Sequence, residues 1–382
     1  MLDLKEYGWQ DDFKMGNSPD LIPARVLESH REIYTVVCVH GEITARLKGS
    51  FYKTLGDEQC VPVVGDFVMI QYNPSGVSLI ALVLNRKSQF SRTDFSGHAA
   101  GYVKTMKEQV IAVNFDYVFI MISLNHDFNL NRIERYLSVA LQSRATPVIV
   151  LTKADSNNAY ETHVEEVKRF TGCENVFAIS AKTGFGLDAL EPFFKTGMTL
   201  AFIGSSGVGK STLVNVMAGE AVMKVNAVRE TDSKGRHTTT SRQLIKLACG
   251  AMIIDTPGIR ELGLFDASEG LGIAFSDVEA LIDTCKYADC RHEKEPGCAI
   301  REALQKRTLS AERWKLYNQL HSENVWGKSK VPLQNVSDLK KKSEDRKDVV
   351  TKKTGKSRKC TCPFNLIKSE SKMSDVAWVF FH

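Results

Sequence analysis

The chain has 382 residues, 43% hydrophobic and 25% charged, too apolar for global disorder and long enough for two or three domains with buried cores. Its net charge of +5 invites a nucleic-acid reading, but the charge is unevenly placed: residues 327–382 hold 14 Lys and Arg against 6 Asp and Glu (+8), and residues 1–326 hold 36 against 39 (−3). The longest clean apolar run, residues 117–124, is far below the ~20 residues of a membrane span, and the N-terminus lacks a basic-then-apolar leader, so a cytoplasmic protein without a membrane partner is expected.

Residues 1–21 read as a short polar lead with some helical character. From Ile22 to Arg92 the signals are short, β-branched runs punctuated by Gly41, Gly65-Asp66 and Asn73-Pro-Ser-Gly76; strands are predicted at 34–39, 42–47, 67–72 and 78–84. About five short strands in this length suit a small closed all-β barrel of the OB type. Its balance of 8 basic against 6 acidic residues over 22–92 leaves room for a local basic patch. Residues 93–112 are mostly polar, carry Gly97 and Gly101, and read as a linker.

From residue 113 the pattern alternates. Strands are predicted at 117–124, 147–151, 175–179 and 198–203, and helices at 131–142, 159–171, 186–194 and 210–218. That alternation describes a parallel α/β sheet covered on both faces. After Asp255 the chain becomes helical and polar, with amphipathic helix signals over 301–322. Residues 327–382 show no period and read as a disordered basic tail, either a solvated appendage or an arm for RNA.

Gly204-Ser205-Ser206-Gly207-Val208-Gly209-Lys210-Ser211-Thr212 has the phosphate-loop spacing, with an apolar strand before it and a helix after it. Glycines let backbone N–H groups approach phosphates at a helix N-terminus, Lys210 neutralises β- and γ-phosphate charge, and Ser211 places its hydroxyl on Mg²⁺. Downstream, a buried-type strand ends in Asp255-Thr-Pro-Gly258. Asp255 suits the magnesium-holding acid, and Gly258 a backbone N–H to the γ-phosphate.

Two triplets at strand ends select guanine. In Thr152-Lys153-Ala154-Asp155 the acid can accept from N1–H and the exocyclic amine, which adenine does not offer, and Lys153 can lay its stem along the base. In Ser180-Ala181-Lys182 the Ala181 N–H can donate to O6. Nine Cys is an odd number, which argues against a fully paired disulfide scaffold. Cys285, Cys290, His292 and Cys298 place three thiols and one imidazole within 14 residues, a donor set for tetrahedral Zn²⁺ in a closed structural site. Cys38, Cys60, Cys173 and Cys249 lie in or beside apolar segments and read as core thiols.

The guanine motifs precede the phosphate loop, whereas the switch words Gly235-Arg-His-Thr-Thr-Thr240 and Asp255-Thr-Pro-Gly-Ile-Arg-Glu-Leu come last. With Val64-Gly-Asp66, Phe128-Asn-Leu and Arg132-Ile-Glu-Arg135-Tyr-Leu, this order resembles the circularly permuted GTPases that act on the small ribosomal subunit. The resemblance covers about 1–326 and stops at the tail. It implies an OB barrel within 1–92, a permuted P-loop GTPase domain at 113–265 and a helical zinc-binding domain at 266–326. It also implies a monomeric GTP hydrolase, using GTP and Mg²⁺, that binds the small subunit and its rRNA and assists its late maturation.

Ile259 stands where Ras-like proteins carry a water-orienting Gln, and an apolar side chain cannot orient water. His237 is therefore the candidate catalytic group beside Lys210, and Thr238 or Thr239 the switch ligand of Mg²⁺. One alternative is a GTP-regulated RNA-binding module with incidental hydrolysis; another is a P-loop ATPase or nucleotide kinase.

Overall fold

Two strand families meet in one sheet of eleven strands. The computed structural model describes residues 1–10, 20–30, 32–49, 61–94, 107–125, 128–223, 242–255 and 268–329, all within the unit Met1–Val331. His237, Thr238, Thr239 and Gly258, with Cys60 and residues 330–382 of the basic tail, lie outside the described residues.

After a 3-10 turn at Leu4–Tyr7 come β1 (Ile22–His30), β2 (Ile33–Cys38), β3 (Gly41–Leu47), β4 (Phe67–Gln71) and β5 (Ser78–Val83). Neighbours run β1-β2-β3-β5-β4, and β4 returns to β1, which closes a five-stranded barrel. Alternate residues fill it: Ala24 and Val26 of β1, Tyr34, Val36 and Cys38 of β2, and Ile70 of β4 form a core of their own.

β6 (Gln89–Asp94) and β7 (Lys107–Val113) form a separate antiparallel pair. The segment 93–112, expected to be a linker, therefore contains a strand. Its Lys107-Glu-Gln start is polar, and pairing with β6, rather than an apolar run, defines it.

The α/β half carries β8 (Tyr117–Ser123), β9 (Thr146–Thr152), β10 (Val176–Ala178), β11 (Thr199–Gly204), β12 (Gln243–Lys246) and β13 (Met252–Asp255). Its order is β10-β9-β8-β11-β13-β12, all parallel except β12. β8 shows why it needs cover on both faces: Val118, Ile120 and Ile122 enter one core, Phe119 and Met121 the other. α1 (Leu130–Gln142) and α2 (Tyr160–Thr171) serve the first face, and α3 (Lys210–Ala218) the second. α1 starts where the Asn129 side chain accepts from the Arg132 N–H at 3.0 Å, and it buries Ile133, Leu137 and Ala140 at helical spacing. The helix expected at 186–194 is a 3-10 segment, Asp188–Phe193, with Pro192 inside it.

α4 (Ser268–Ala274), α5 (Ser276–Asp283), α6 (Ala299–Lys306) and α7 (Ala311–Ser329) complete the described chain. α7 runs three residues into the segment expected to be the tail. No helix among the described residues is long and apolar enough to cross a membrane.

Arg25 locks the barrel to the α/β half. It is 1% exposed and donates to the carbonyls of Tyr7 (2.6 Å), Asn114 (2.8 Å) and Gly65 (3.3 Å) and to Thr199 Oγ1 (3.0 Å), under the ring of Phe67. Burial pulls its pKa down to about 10, against the pull of Asp116 and Asp66, so it stays charged at neutral pH.

A buried carboxyl ties α1 to the C-terminal helices. Glu134 is fully buried, its Oε1 lies 3.5 Å from Arg313 Nη1, and among the described residues its Oε2 finds no hydrogen-bond partner. Arg313 is held mainly by two bonds of 2.8 Å to Asp277. Burial raises the Glu134 pKa to about 8, outweighing the lowering by Arg313. The folded group keeps its proton to about pH 8, whereas the unfolded group titrates near 4.5. Its contribution to stability is thus full below 4.5 and is lost as pH rises through about 8. A Glu134→Gln variant should match the parent in urea unfolding at pH 5 and exceed it at pH 9 by about 1 kcal/mol or more. A difference that does not grow with pH would count against a protonated Glu134.

Candidate nucleotide and metal sites

Parallel strands bring their C-terminal ends to one edge, where α/β sheets bind ligands. There β11 ends at Gly204, β9 at Thr152 and β13 at Asp255, and Ser180 follows β10. Sequence positions 24 to 103 residues apart thus converge on one sheet edge.

The phosphate loop is built for close approach. A Cβ on Gly204 would lie 2.5 Å from the Met121 carbonyl oxygen, and Gly207 and Gly209 have φ of +74° and +105°. Val208 anchors the loop in the core at 3% exposure. Gly209 caps α3, so Lys210, Ser211 and Thr212 form the first turn, the positive end of the helix dipole. Lys210 Nζ lies 3.1 Å from Asp255 Oδ1. The ion pair joins two predicted site residues 45 positions apart. Ser205, half-buried, and Ser206, exposed, complete the loop.

Thr152 does more than precede Lys153 and Asp155. Its hydroxyl is buried and donates to the Val208 carbonyl at 2.7 Å, tying the end of β9 to the phosphate loop. Spacing alone cannot show this bond; a polar residue ending an apolar strand is the only hint. Thr152→Val removes the donor at constant shape and strands a buried carbonyl, at about 1–3 kcal/mol. The expected result is a lower unfolding midpoint with a several-fold higher KM for GTP; an unchanged KM would separate the bond from nucleotide binding.

The two segments expected to read guanine also touch. Lys153 sits at φ +61°, and the Ala154 N–H donates to the Ile179 carbonyl at 3.0 Å. The Ser180 hydroxyl, aided by Lys182, holds the exposed Asp155 carboxyl below the usual carboxylate range. Ser180 itself is buried and receives the Thr183 N–H at 3.3 Å, which fixes the turn carrying Ala181.

Between α5 and α6 the ligand atoms of Cys285, Cys290, His292 and Cys298 all lie within 4.8 Å of one another. His292 Nδ1 is 3.6 Å from Cys285 Sγ and 3.5 Å from Cys298 Sγ. Zn–S distances of about 2.3 Å imply ligand separations of just this size, so the donor set fits zinc and fills all four positions. Burial raises the Cys285 thiol pKa, but the Ala299 and Ile300 N–H groups, together with the Cys290 and Cys298 thiols, outweigh it and bring the pKa down. Elsewhere, Cys38 is buried and Cys173 half-buried, but Cys249, expected in the core, is exposed in the turn between β12 and β13.

A family model described as RsgA GTPase matches residues 83–265. The chain is 40% identical over 351 residues to "Small ribosomal subunit biogenesis GTPase RsgA 2" of Listeria monocytogenes, covering 91% of this chain and 96% of the relative. It is 44% identical over 303 residues to RsgA 1 of Listeria innocua, covering 79% and 83%. Among solved structures, YjeQ from Thermotoga maritima superposes with a TM-score of 0.58 at 24% identity, covering 80% of this chain and 99% of that one. YloQ, titled a circularly permuted GTPase, gives 0.55 at 21% identity, covering 81% and 97%. The two structures share the fold; 40% identity over 351 residues, covering 91% of this chain, is what decides descent, and the chain belongs to the RsgA family of circularly permuted GTPases.

Proposed function

We propose that this GTPase binds the small ribosomal subunit and its rRNA and assists the subunit's late maturation, with hydrolysis stimulated by the subunit. What carries the reading is the extent of the likeness: relatives named for small-subunit biogenesis match over 91% of the chain, beyond the 83–265 segment that defines the GTPase. The barrel within 1–92 and the zinc-binding helices of 266–326 then serve as the RNA-gripping parts around the GTPase domain of 113–265. Such a protein works in the cytoplasm, where its subunits are.

In this reading GTP lies along the strand ends. Asp155 accepts from the guanine edge, Lys153 covers the base, and Ala181 donates to O6. Backbone N–H groups of Gly204 to Thr212 and the Lys210 ammonium surround the phosphates, and charge developing on the β–γ bridge in the transition state is met by donors already in place. Lys210 leaves Asp255 as phosphate enters, which frees that carboxylate. Ser211 and Asp255 would hold Mg²⁺ together with Thr238 or Thr239, and the ion would neutralise charge shared by the β- and γ-phosphates. Gly258 donates to the γ-phosphate, and His237 orients the attacking water in place of the missing Gln. One zinc ion would fasten the 285–298 loop to α6 without entering the chemistry.

GTP turnover measured with and without purified small subunits tests the reading. We expect stimulation of at least about tenfold, since ordering a switch completes the site. Tight subunit binding without stimulation would favour the GTP-regulated RNA-binding module with incidental hydrolysis.

A further inference from the structure

β12 is the seam between the barrel and the nucleotide half, and its pairing is uneven. Against β13 it pairs along its whole length, from Gln243 opposite Asp255 to Lys246 opposite Met252. Against β1 it has one ladder partner among the described residues, Glu28 opposite Gln243. A register shift between Val26 and Glu28 in the β1–β2 ladder turns β1 at this point, the local re-aiming that a bulge supplies.

Gln243 therefore stands in a row across three strands, between Glu28 of the barrel and Asp255. The Gln243 Nε2 donates to Glu28 Oε1 at 2.7 Å, and the other Glu28 oxygen lies 3.1 Å from His30 Nε2. Asp255 in turn holds Lys210 at 3.1 Å. The other end of β12 is tied to the N-terminal turn: Lys246 Nζ lies 2.6 Å from Glu6 Oε2 and 4.5 Å from the centre of the Tyr7 ring. The strand that pairs with Asp255 is thus held at one end by the barrel and at the other by the N-terminal turn, through side chains.

We propose that Gln243 is a positioning residue for Asp255 and that Glu28 makes this positioning depend on the barrel. The pair Glu28–Gln243 sets where the C-terminal end of β13 lies, and so how well Asp255 meets the magnesium side of the nucleotide. A ligand that shifts β1 changes the site through this bond, and by reciprocity nucleotide at Asp255 changes the barrel's affinity for its ligand. The first half of this statement rests on the sheet alone; the magnesium role of Asp255 rests on the function proposed above.

The test compares Glu28→Ala and Gln243→Ala with Glu28→Gln, whose amide oxygen still accepts from Gln243. Two readouts are taken on the full chain. Amide hydrogen exchange of Met252–Asp255 without nucleotide should speed up by about fivefold in the two Ala variants and stay at the parental rate in Glu28→Gln. The Mg²⁺ concentration for half-maximal GTP turnover should rise by a similar factor of about five in the same two variants, with GDP affinity in EDTA unchanged. Unchanged exchange in both Ala variants would overturn the coupling. Faster exchange with an unmoved Mg²⁺ dependence would overturn the positioning role. If Asp255→Ala itself leaves the Mg²⁺ dependence intact, the assignment of Asp255 falls, and the exchange result still decides whether barrel and β13 are coupled.

Discussion

Lys210→Ala is expected to cut GTP turnover by about 10²–10³-fold while the protein stays folded. Lys210 is the first residue of α3, beyond the glycine that caps it, and its side chain is a quarter exposed rather than part of either core. Ala is the best helix former, so the exchange costs the helix little. What is lost is a cation. Without nucleotide that cation neutralises Asp255 at 3.1 Å, and the variant leaves a half-buried carboxylate facing the phosphate loop. Incoming GTP then meets an uncompensated negative charge where it should meet an ammonium. Affinity and the chemical step both suffer, because the β- and γ-oxygens gain charge as the bond breaks. Single-turnover hydrolysis at saturating GTP isolates the chemical step, and the thermal midpoint reports the fold. Parental turnover in this variant would remove Lys210 from the site.

The parts of this architecture that could be read from sequence are those whose determinants are contiguous. The phosphate loop and α3 fall within residues 204–218, and the helix begins and ends where the glycines at 209 and 219 require. The cysteine cluster closes within 14 residues, and β8 and β9 announce themselves as apolar runs because both their faces are buried. The Asp155–Ser180 contact joins two triplets that each follow a predicted strand, so their nearness follows from the sheet. What stayed hidden depends on partners far along the chain. β12 is four residues with polar ends, and only its neighbours on both sides make it a strand. Lys107-Glu-Gln reads as loop until β6 lies beside it. Pro192 and the short length of 188–193 turn a helical pattern into a 3-10 segment. The bond from Thr152 to Val208 spans 56 residues and the Glu134–Arg313 pair 179, distances at which no local pattern carries information.

Asp155→Asn is expected to lower GTP affinity by about 10²–10³-fold and to raise affinity for xanthosine triphosphate. Guanine presents two donors side by side, N1–H and the exocyclic amine, and an ionised carboxylate accepts both. Asn offers one oxygen and one amino group, so one of the two contacts becomes donor against donor. Xanthine carries a carbonyl where guanine carries the amine, and there the Asn amino group finds an acceptor. The Ser180 hydroxyl and Lys182 hold the Asp155 carboxyl below the usual range, so the parent enzyme presents an ionised acceptor throughout the neutral range and its guanine preference should be flat with pH. Asp155 is exposed, so the variant should fold as the parent does. Displacement of a fluorescent GDP analogue by GTP, xanthosine triphosphate and ATP reads the three affinities on parent and variant. A parent that yields to ATP as readily as to GTP would favour the ATPase or nucleotide-kinase reading. A variant that still prefers GTP would mean that the guanine edge is read by other groups, leaving Asp155 only its bond to Ser180. Reversal of preference between guanine and xanthine, by contrast, requires the base to lie against this one side chain, because no other substitution of a single atom pair exchanges a donor for an acceptor at that edge.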